Sequence, residues 1–127
     1  RRLSFLDPIA FTEGNRLFTE FKGALTENYI LQSLAAQYEV IPRYWTSKAT
    51  AEVDFLIQRK NIIIPVEVKS NQSVTGKSLT LYNSMFHPAF RIRYSLKNLI
   101  MNENLINIPL FLADYTDKLI GIAENNP

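Results

Sequence analysis

The feature that most constrains this chain is a pair of strand-like runs, Glu52 to Gln58 and Ile62 to Lys69, flanking Lys60-Asn61. Asn tolerates the positive φ of a tight hairpin turn. A two-residue turn at Lys60-Asn61 fixes the register. It sets Asp54 opposite Glu67 and Glu52 opposite Lys69. Opposed residues of an antiparallel pair point to one face. Val53, Phe55, Ile57, Ile64, Val66 and Val68 then form an apolar face. The other face carries Glu52, Asp54, Glu67 and Lys69 at one end, with Leu56, Ile63 and Pro65 nearer the turn. Pro65 cannot donate to a ladder, which predicts an edge position or a bulge there.

Two carboxylates opposed across a hairpin repel unless a positive group lies between them. A hard divalent cation, Mg²⁺ or Mn²⁺, suits such an oxygen-rich site. Lys69 shares their face and could orient a water or stabilise developing charge. The plainer alternative is a solvated face in which Glu52 pairs with Lys69. Glu27 bears on the choice. It lies three residues after Ala24 and four before Leu31, on the apolar side of the clearest helix. A carboxylate there needs a partner, which is a metal shared with Asp54 and Glu67, a salt bridge, or solvent at the helix edge.

Around the hairpin, the chain reads as one α/β domain. Leu3 to Leu6 reads as a short strand stopped at Asp7-Pro8, and residues 9–22 show no clear period. From Gly23 to about Glu39, Ala24, Leu31, Leu34, Ala35 and Tyr38 recur at helical spacing. Val40 to Thr46 reads as a strand, and Ser47 to Thr50 as a loop. A polar loop, Ser70 to Lys77, leads to a second helix over Ser78 to Phe86, ended by His87-Pro88. Phe90, Ile92 and Tyr94 alternate with Arg91 and Arg93 as in a strand. Pro109 to Asp114 reads as a further strand, and the tail after Leu119 as frayed. The order is helix, three strands, helix, then one or two strands.

Composition limits the function classes. The 127 residues suit one domain, with 46% apolar and 20% charged residues. No run is long enough to span a bilayer. There is no cysteine, hence no disulfide and no thiolate metal site, which suits the cytoplasm. A net charge of +2 neither demands nor excludes DNA. The start at Arg1-Arg2-Leu3, without Met, is the one expected of a piece of a longer protein.

Glu27 in Gly23-Ala24-Leu25-Thr26-Glu27-Asn28, Asp54 in Glu52-Val53-Asp54-Phe55-Leu56-Ile57, and Glu67-Val68-Lys69 in Pro65-Val66-Glu67-Val68-Lys69-Ser70 together resemble the PD-(D/E)XK, or restriction-endonuclease-like, nuclease superfamily. The likeness is closer to the C-terminal domain of unknown function that follows an AAA+ ATPase module in bacterial and archaeal proteins. Phe5-Leu6-Asp7 and Ile108-Pro109-Leu110 match its start and its last strand. The resemblance implies a restriction-endonuclease-like core with a mixed sheet, ordered helix-strand-strand-strand-helix-strand. It implies that Asp54, Glu67 and the Val68 carbonyl hold Mg²⁺ or Mn²⁺, that Lys69 assists the attacking water, and that Glu27 is an outer or bridging carboxylate. It implies DNA as a partner, an ATPase module in the same chain, and ATP bound only in that module. Ser78 stands four residues before Tyr82, where some exonuclease branches of the superfamily carry Gln.

Other motifs have competing readings. Asn71 to Ser78 ends in Gly76-Lys77-Ser78 like a P-loop, but Asn71 stands where the first Gly belongs. His87 reads as a general base or a surface histidine, and Arg91 and Arg93 as phosphate contacts or a solvated face. Tyr44 and Trp45 read as base-stacking or core residues. The rival to a nuclease is a non-catalytic interaction domain of the same fold.

Overall fold

The computed structural model describes residues 8–45, 52–70 and 77–125. Helix α1 runs from Pro8 to Ala35, followed by strands β1 (Glu39–Trp45), β2 (Glu52–Arg59) and β3 (Ile62–Val68). Helix α2 (Lys77–Phe86) leads to strands β4 (Arg91–Ser95), β5 (Ile100–Asn102) and β6 (Leu105–Pro109). A 3-10 segment, Leu110–Tyr115, and helix α3, Thr116–Asn125, complete it. The six strands form one mixed sheet in the order β1-β2-β3-β4-β6-β5. β1, β2 and β3 pair antiparallel, whereas β3, β4 and β6 pair parallel. The fold is the mixed α/β class that the element order predicts.

The hairpin register is as expected over its described length, with Phe55 opposite Val66, Ile57 opposite Ile64, and Arg59 opposite Ile62. The positive φ falls on Lys60, at 56°, and not on Asn61. Positive φ at the first central residue alone is the pattern of a type II′ turn.

Pro65 is neither at an edge nor in a bulge. It sits opposite Leu56 in β3, which has β2 on one side and β4 on the other. The parallel ladder to β4 begins only at Val66, so no partner on that side calls for an N–H at position 65.

Several helix boundaries depart from the sequence reading. α1 begins at Pro8 and not at Gly23, so residues 9–22, which show no period, are helical. Pro suits the first helical position because its missing N–H has no partner there in any case. Gly14 and Gly23 are interior, at a cost of roughly 1 kcal/mol each that a long helix can absorb. The helix ends at Ala35, short of Glu39. Its buried face is centred on Ile30, Ser33 and Leu34, while Ala24 and Ala35 are exposed. The strand expected at Pro109 to Asp114 does not form: Pro109 ends β6 and Leu110–Tyr115 is 3-10, while the strands lie earlier, at β5 and β6.

The tail does not fray, because α3 buries Thr116 and Ile120. It is also tied to the hairpin. Arg59 Nε lies 2.7 Å from Asp117 Oδ1, and Arg59 Nη1 lies 2.8 Å from Glu124 Oε2. The strand expected at Leu3 to Leu6 and the loop at Ser47 to Thr50 lie outside the described residues. So do Asn71 to Gly76 of the P-loop-like stretch and the side chains of Tyr44 and Trp45.

The core has two parts. On one face of the sheet, Ile30 and Leu34 of α1 and Ile120 of α3 cover Phe55, Ile57, Ile64, Val66, Ile92, Tyr94, Ile106 and Ile108. On the other, Leu79 and Tyr82 of α2 pack with Val53 and Leu56. Val53 therefore leaves the Phe55–Ile57 face to which strict alternation assigns it, and the alternation breaks around Asp54.

α2 ends as expected at His87, whose φ is 48° and whose N–H donates to Asn83 O at 3.0 Å. This is a left-handed cap, a conformation that costs an L-residue about 1–2 kcal/mol and glycine nothing. His87 is exposed and serves to end the helix. His87→Gly should stabilise the domain by about 0.5–1 kcal/mol after the extra entropy of an unfolded glycine is deducted. A thermal melt checks this, and an unchanged or lowered midpoint would refute it.

Candidate active site

The β2–β3 ladder stops at Phe55 and Val66, one pair short of Asp54 and Glu67. Where the next backbone bond would fall, the Asp54 carboxylate intervenes. Its Oδ2 accepts the Val68 N–H at 2.7 Å. The Asp54 side chain thus closes the sheet at the point where β2 and β3 part. A charge-assisted bond of this length holds the carboxylate against the backbone of the Glu67-Val68-Lys69 segment.

Glu67 is 5% exposed. β3 and β4 set it beside Arg93 in parallel register. Arg93 Nε donates to Glu67 Oε2 at 3.2 Å, and Lys69 Nζ lies 3.6 Å from Glu67 Oε1. The plainer alternative pairs Lys69 with Glu52; the structure puts Lys69 beside Glu67, and the Glu52 side chain lies outside the described residues. Lys69 is held by its backbone, whose N–H donates to Tyr94 O at 2.8 Å.

Glu27 comes from α1 and is half-buried. At Gly23, one turn earlier, an added Cβ would stand 3.4 Å from Ser70 Oγ, so α1 runs against the chain just past Lys69. That approach brings the Glu27 charge within reach of Asp54.

The electrostatics register this crowding. Burial pushes the Asp54 carboxyl from its ordinary 3.8 up to about 6. The Val68 N–H bond pulls it back, the negative charges of Glu27 and Glu67 push it further up, and Lys69 lowers it. Three carboxylates, Glu27, Asp54 and Glu67, therefore lie near one another beside two cations, Lys69 and Arg93.

The carboxylate oxygens of Asp54 and Glu67 are donors of the class that hard divalent ions take. No three His, Cys, Asp or Glu side chains among the described residues are grouped so as to cage a metal. Mg²⁺ and Mn²⁺ do not require such a cage, since one or two carboxylates with several retained waters suffice. Asp54, a carboxylate kept short of compensation, is the natural principal donor, and Glu67 shares its charge with Arg93 and Lys69.

Two arginines that the sequence leaves between roles are now distinguished. Arg91 is buried and its Nε donates to Asn104 Oδ1 at 2.9 Å, a structural bond at the far end of β4. Arg93 belongs to the site. Strand alternation places it on one face with Arg91, but only knowledge of the β3–β4 pairing puts it beside Glu67. Nothing in the local sequence announces that neighbour.

An α/β domain with a carboxylate–lysine cluster at a strand end is the class that fold and site define. The family described as a domain of unknown function (DUF4143) matches residues 22–111, from the middle of α1 to the start of the 3-10 segment. The chain belongs to this family. No curated protein matches it. No helix among the described residues is long and apolar enough to cross a membrane.

Proposed function

We propose that this domain is a divalent-metal-dependent phosphodiesterase acting on DNA, a nuclease-like unit of the PD-(D/E)XK kind that works in the cytoplasm beside an AAA+ ATPase module. The observation that carries the reading is the Asp54 bond to the Val68 N–H. It locks a carboxylate of raised pKa onto the Glu67-Val68-Lys69 strand. Asp54, Glu67 and the Val68 carbonyl would hold the ion, and Glu27 would act as an outer or bridging carboxylate. A bound Mg²⁺ or Mn²⁺ supplies Lewis acidity for a phosphoryl oxygen and a lowered pKa for water.

The remaining steps belong to the chain's own groups. Asp54 is anionic above about pH 6 and can accept a proton below it. Lys69 is an ammonium donor aimed at charge that develops on the attacked phosphate. The apolar residues behind Glu67 exclude water and strengthen both effects. ATP plays no part within this domain and acts through the neighbouring module.

The test is an assay on duplex and single-stranded DNA with Mn²⁺, using the full-length protein with ATP as well as this domain. Wild type should cut, and both EDTA and Glu67→Ala should abolish cutting. Folded wild type that cuts neither substrate in either form would sink the proposal.

One observation favours a second reading, a non-catalytic interaction domain that retains the site. Both Glu67 oxygens already face cations, Arg93 and Lys69. In that reading the cluster is a buried ion-pair network, and its worth is structural.

A further inference from the structure

Glu67 has a competitor for any metal. Its Oε2 accepts from Arg93 Nε at 3.2 Å, and its Oε1 faces Lys69 Nζ at 3.6 Å. The Arg93 side chain is 15% exposed and that of Glu67 7% exposed, so water screens their interaction weakly. Lys69 is 30% exposed and more distant, so it is the weaker partner of Glu67. Arg93 is the closer one, and its backbone is anchored between Ile92 and Tyr94, both fully buried, in a strand paired on both sides. An ion that takes Glu67 as a ligand must therefore displace Arg93, or bind within a few ångströms of its charge.

We propose that Arg93 is the resident counter-cation of Glu67, a positioning residue that holds the buried carboxylate in place, and that divalent metal binds only by displacing it. This deepens the metal-dependent reading above and rests on it. The physical logic is that a carboxylate buried beside other carboxylates needs a cation against it. Arg93 supplies compensation before the metal arrives, and the metal takes over afterwards.

A released Arg93 has somewhere to go. It lines an open cavity of about 170 Å³ with Lys97, Asn98, Ile100, Asn102, Leu105 and Asn107. Asn107 is already committed, since its Nδ2 donates to Lys97 O and Asn98 O. Those bonds form one wall of the cavity, which holds no carboxylate among the described residues and carries a second cation, Lys97, so the displaced guanidinium swings through its open mouth to water. Arg93 there no longer opposes a metal at Glu67.

The deciding measurement is Mn²⁺ titration calorimetry on wild type, Arg93→Met, Arg93→Lys and Glu67→Gln, with thermal melts of each protein with and without Mn²⁺. Deleting a unit positive charge a few ångströms from the ion should tighten Mn²⁺ binding by Arg93→Met about tenfold or more. Its melting midpoint should be lower than that of wild type without metal and should rise more on adding Mn²⁺, because ligand binding to the folded state alone stabilises it. Arg93→Lys, whose shorter ammonium keeps the charge without the guanidinium geometry, should fall between the two.

If Asp54 and Glu67 support Mn²⁺ binding in wild type but Arg93→Met binds no more tightly, the competition is absent and the inference fails while the metal reading stands. If neither wild type nor Arg93→Met binds Mn²⁺, both fail. Should Arg93→Met be too unstable to titrate, Arg93→Lys decides. Binding unchanged or weaker than wild type in that protein overturns the inference.

Discussion

Replacing Asp54 by Asn should make the protein more stable at pH 8 and remove its metal binding. The stability arises from the carboxyl's pKa of about 6 in the fold against an ordinary 3.8. The folded state holds the proton more tightly than the unfolded chain does. Between those two values the native state binds more protons than the unfolded state, so wild-type stability falls as pH rises. Below about pH 4 the carboxyl is protonated in both states and costs nothing. Above about pH 6 it is ionised in both, and the full penalty is present. At about 1.4 kcal/mol per pH unit the penalty is up to roughly 3 kcal/mol, less whatever water at this partly exposed site screens away.

Asn keeps an oxygen to accept the Val68 N–H, so the link that closes the sheet survives. A gain on the order of 1–3 kcal/mol at pH 8 is expected, vanishing below pH 4. The measurement is a set of denaturant melts in EDTA across pH 3 to 8. A wild-type curve that is flat between pH 4 and 6, or parallel to that of Asp54→Asn, would remove the strained carboxylate from the argument. Calorimetry on the same pair gives the second half. Wild type should bind Mn²⁺ with an affinity that falls below about pH 6, where binding must also release the Asp54 proton, and Asp54→Asn should not bind. A site that forgoes this much stability in an otherwise well-packed sheet is one where a carboxylate is needed more than a neutral amide.

Much of this site was legible in the sequence because a hairpin with a short turn leaves little freedom of register. Lys60 and Asn61, once read as a two-residue turn, fix every pairing from Phe55–Val66 to Arg59–Ile62, and the burial of Phe55, Ile57, Ile64 and Val66 follows from period-two alternation. What the pattern does not carry is where the ladder ends. β2 parts from β3 at Asp54, whose side chain takes the Val68 N–H while β2 stays in register with β1, and Val53 packs with α2. Side-chain competition for backbone donors is a local event that a hydropathy pattern does not encode.

Arg93 was out of reach for a different reason. It becomes a neighbour of Glu67 only through the parallel crossover from β3 to β4 by way of α2, a long-range pairing. The misread segments share a third cause. Residues 9–22 lack a clean apolar stripe, and the stripe of the C-terminal helix, Leu119, Ile120 and Ala123, is only about one turn long. α3 is held largely by tertiary partners, with Ile120 in the core and Arg59 tied to Asp117 and Glu124, so a propensity reading sees a polar tail.

Lys69→Met is expected to abolish DNA cleavage while barely changing stability, and that dissociation separates the two readings of the site. Lys69 Nζ stands 3.6 Å from Glu67 Oε1 with its side chain 30% exposed, a long and partly hydrated pair. Losing it should cost about 0–1 kcal/mol, because Arg93 still faces the buried carboxylate. Metal affinity should hold or rise slightly, since a positive charge has left the site. In catalysis the loss is of another order. A positioned donor aimed at the charge of the transition state contributes on the order of 10²–10³ in rate. A methionine of similar length keeps the packing of the stem and deletes only the ammonium. The experiment is a cleavage time course in Mn²⁺ beside melts and Mn²⁺ titration on the same two proteins. Wild-type cleavage that persists at near its full rate in Lys69→Met would rule out Lys69 as the group that acts on the phosphate or the water. If the cluster is instead a structural ion network, wild type itself does not cleave. Arg93→Met then lowers the melting midpoint far more than Lys69→Met, because the Arg93–Glu67 pair is the shorter and more deeply buried of the two.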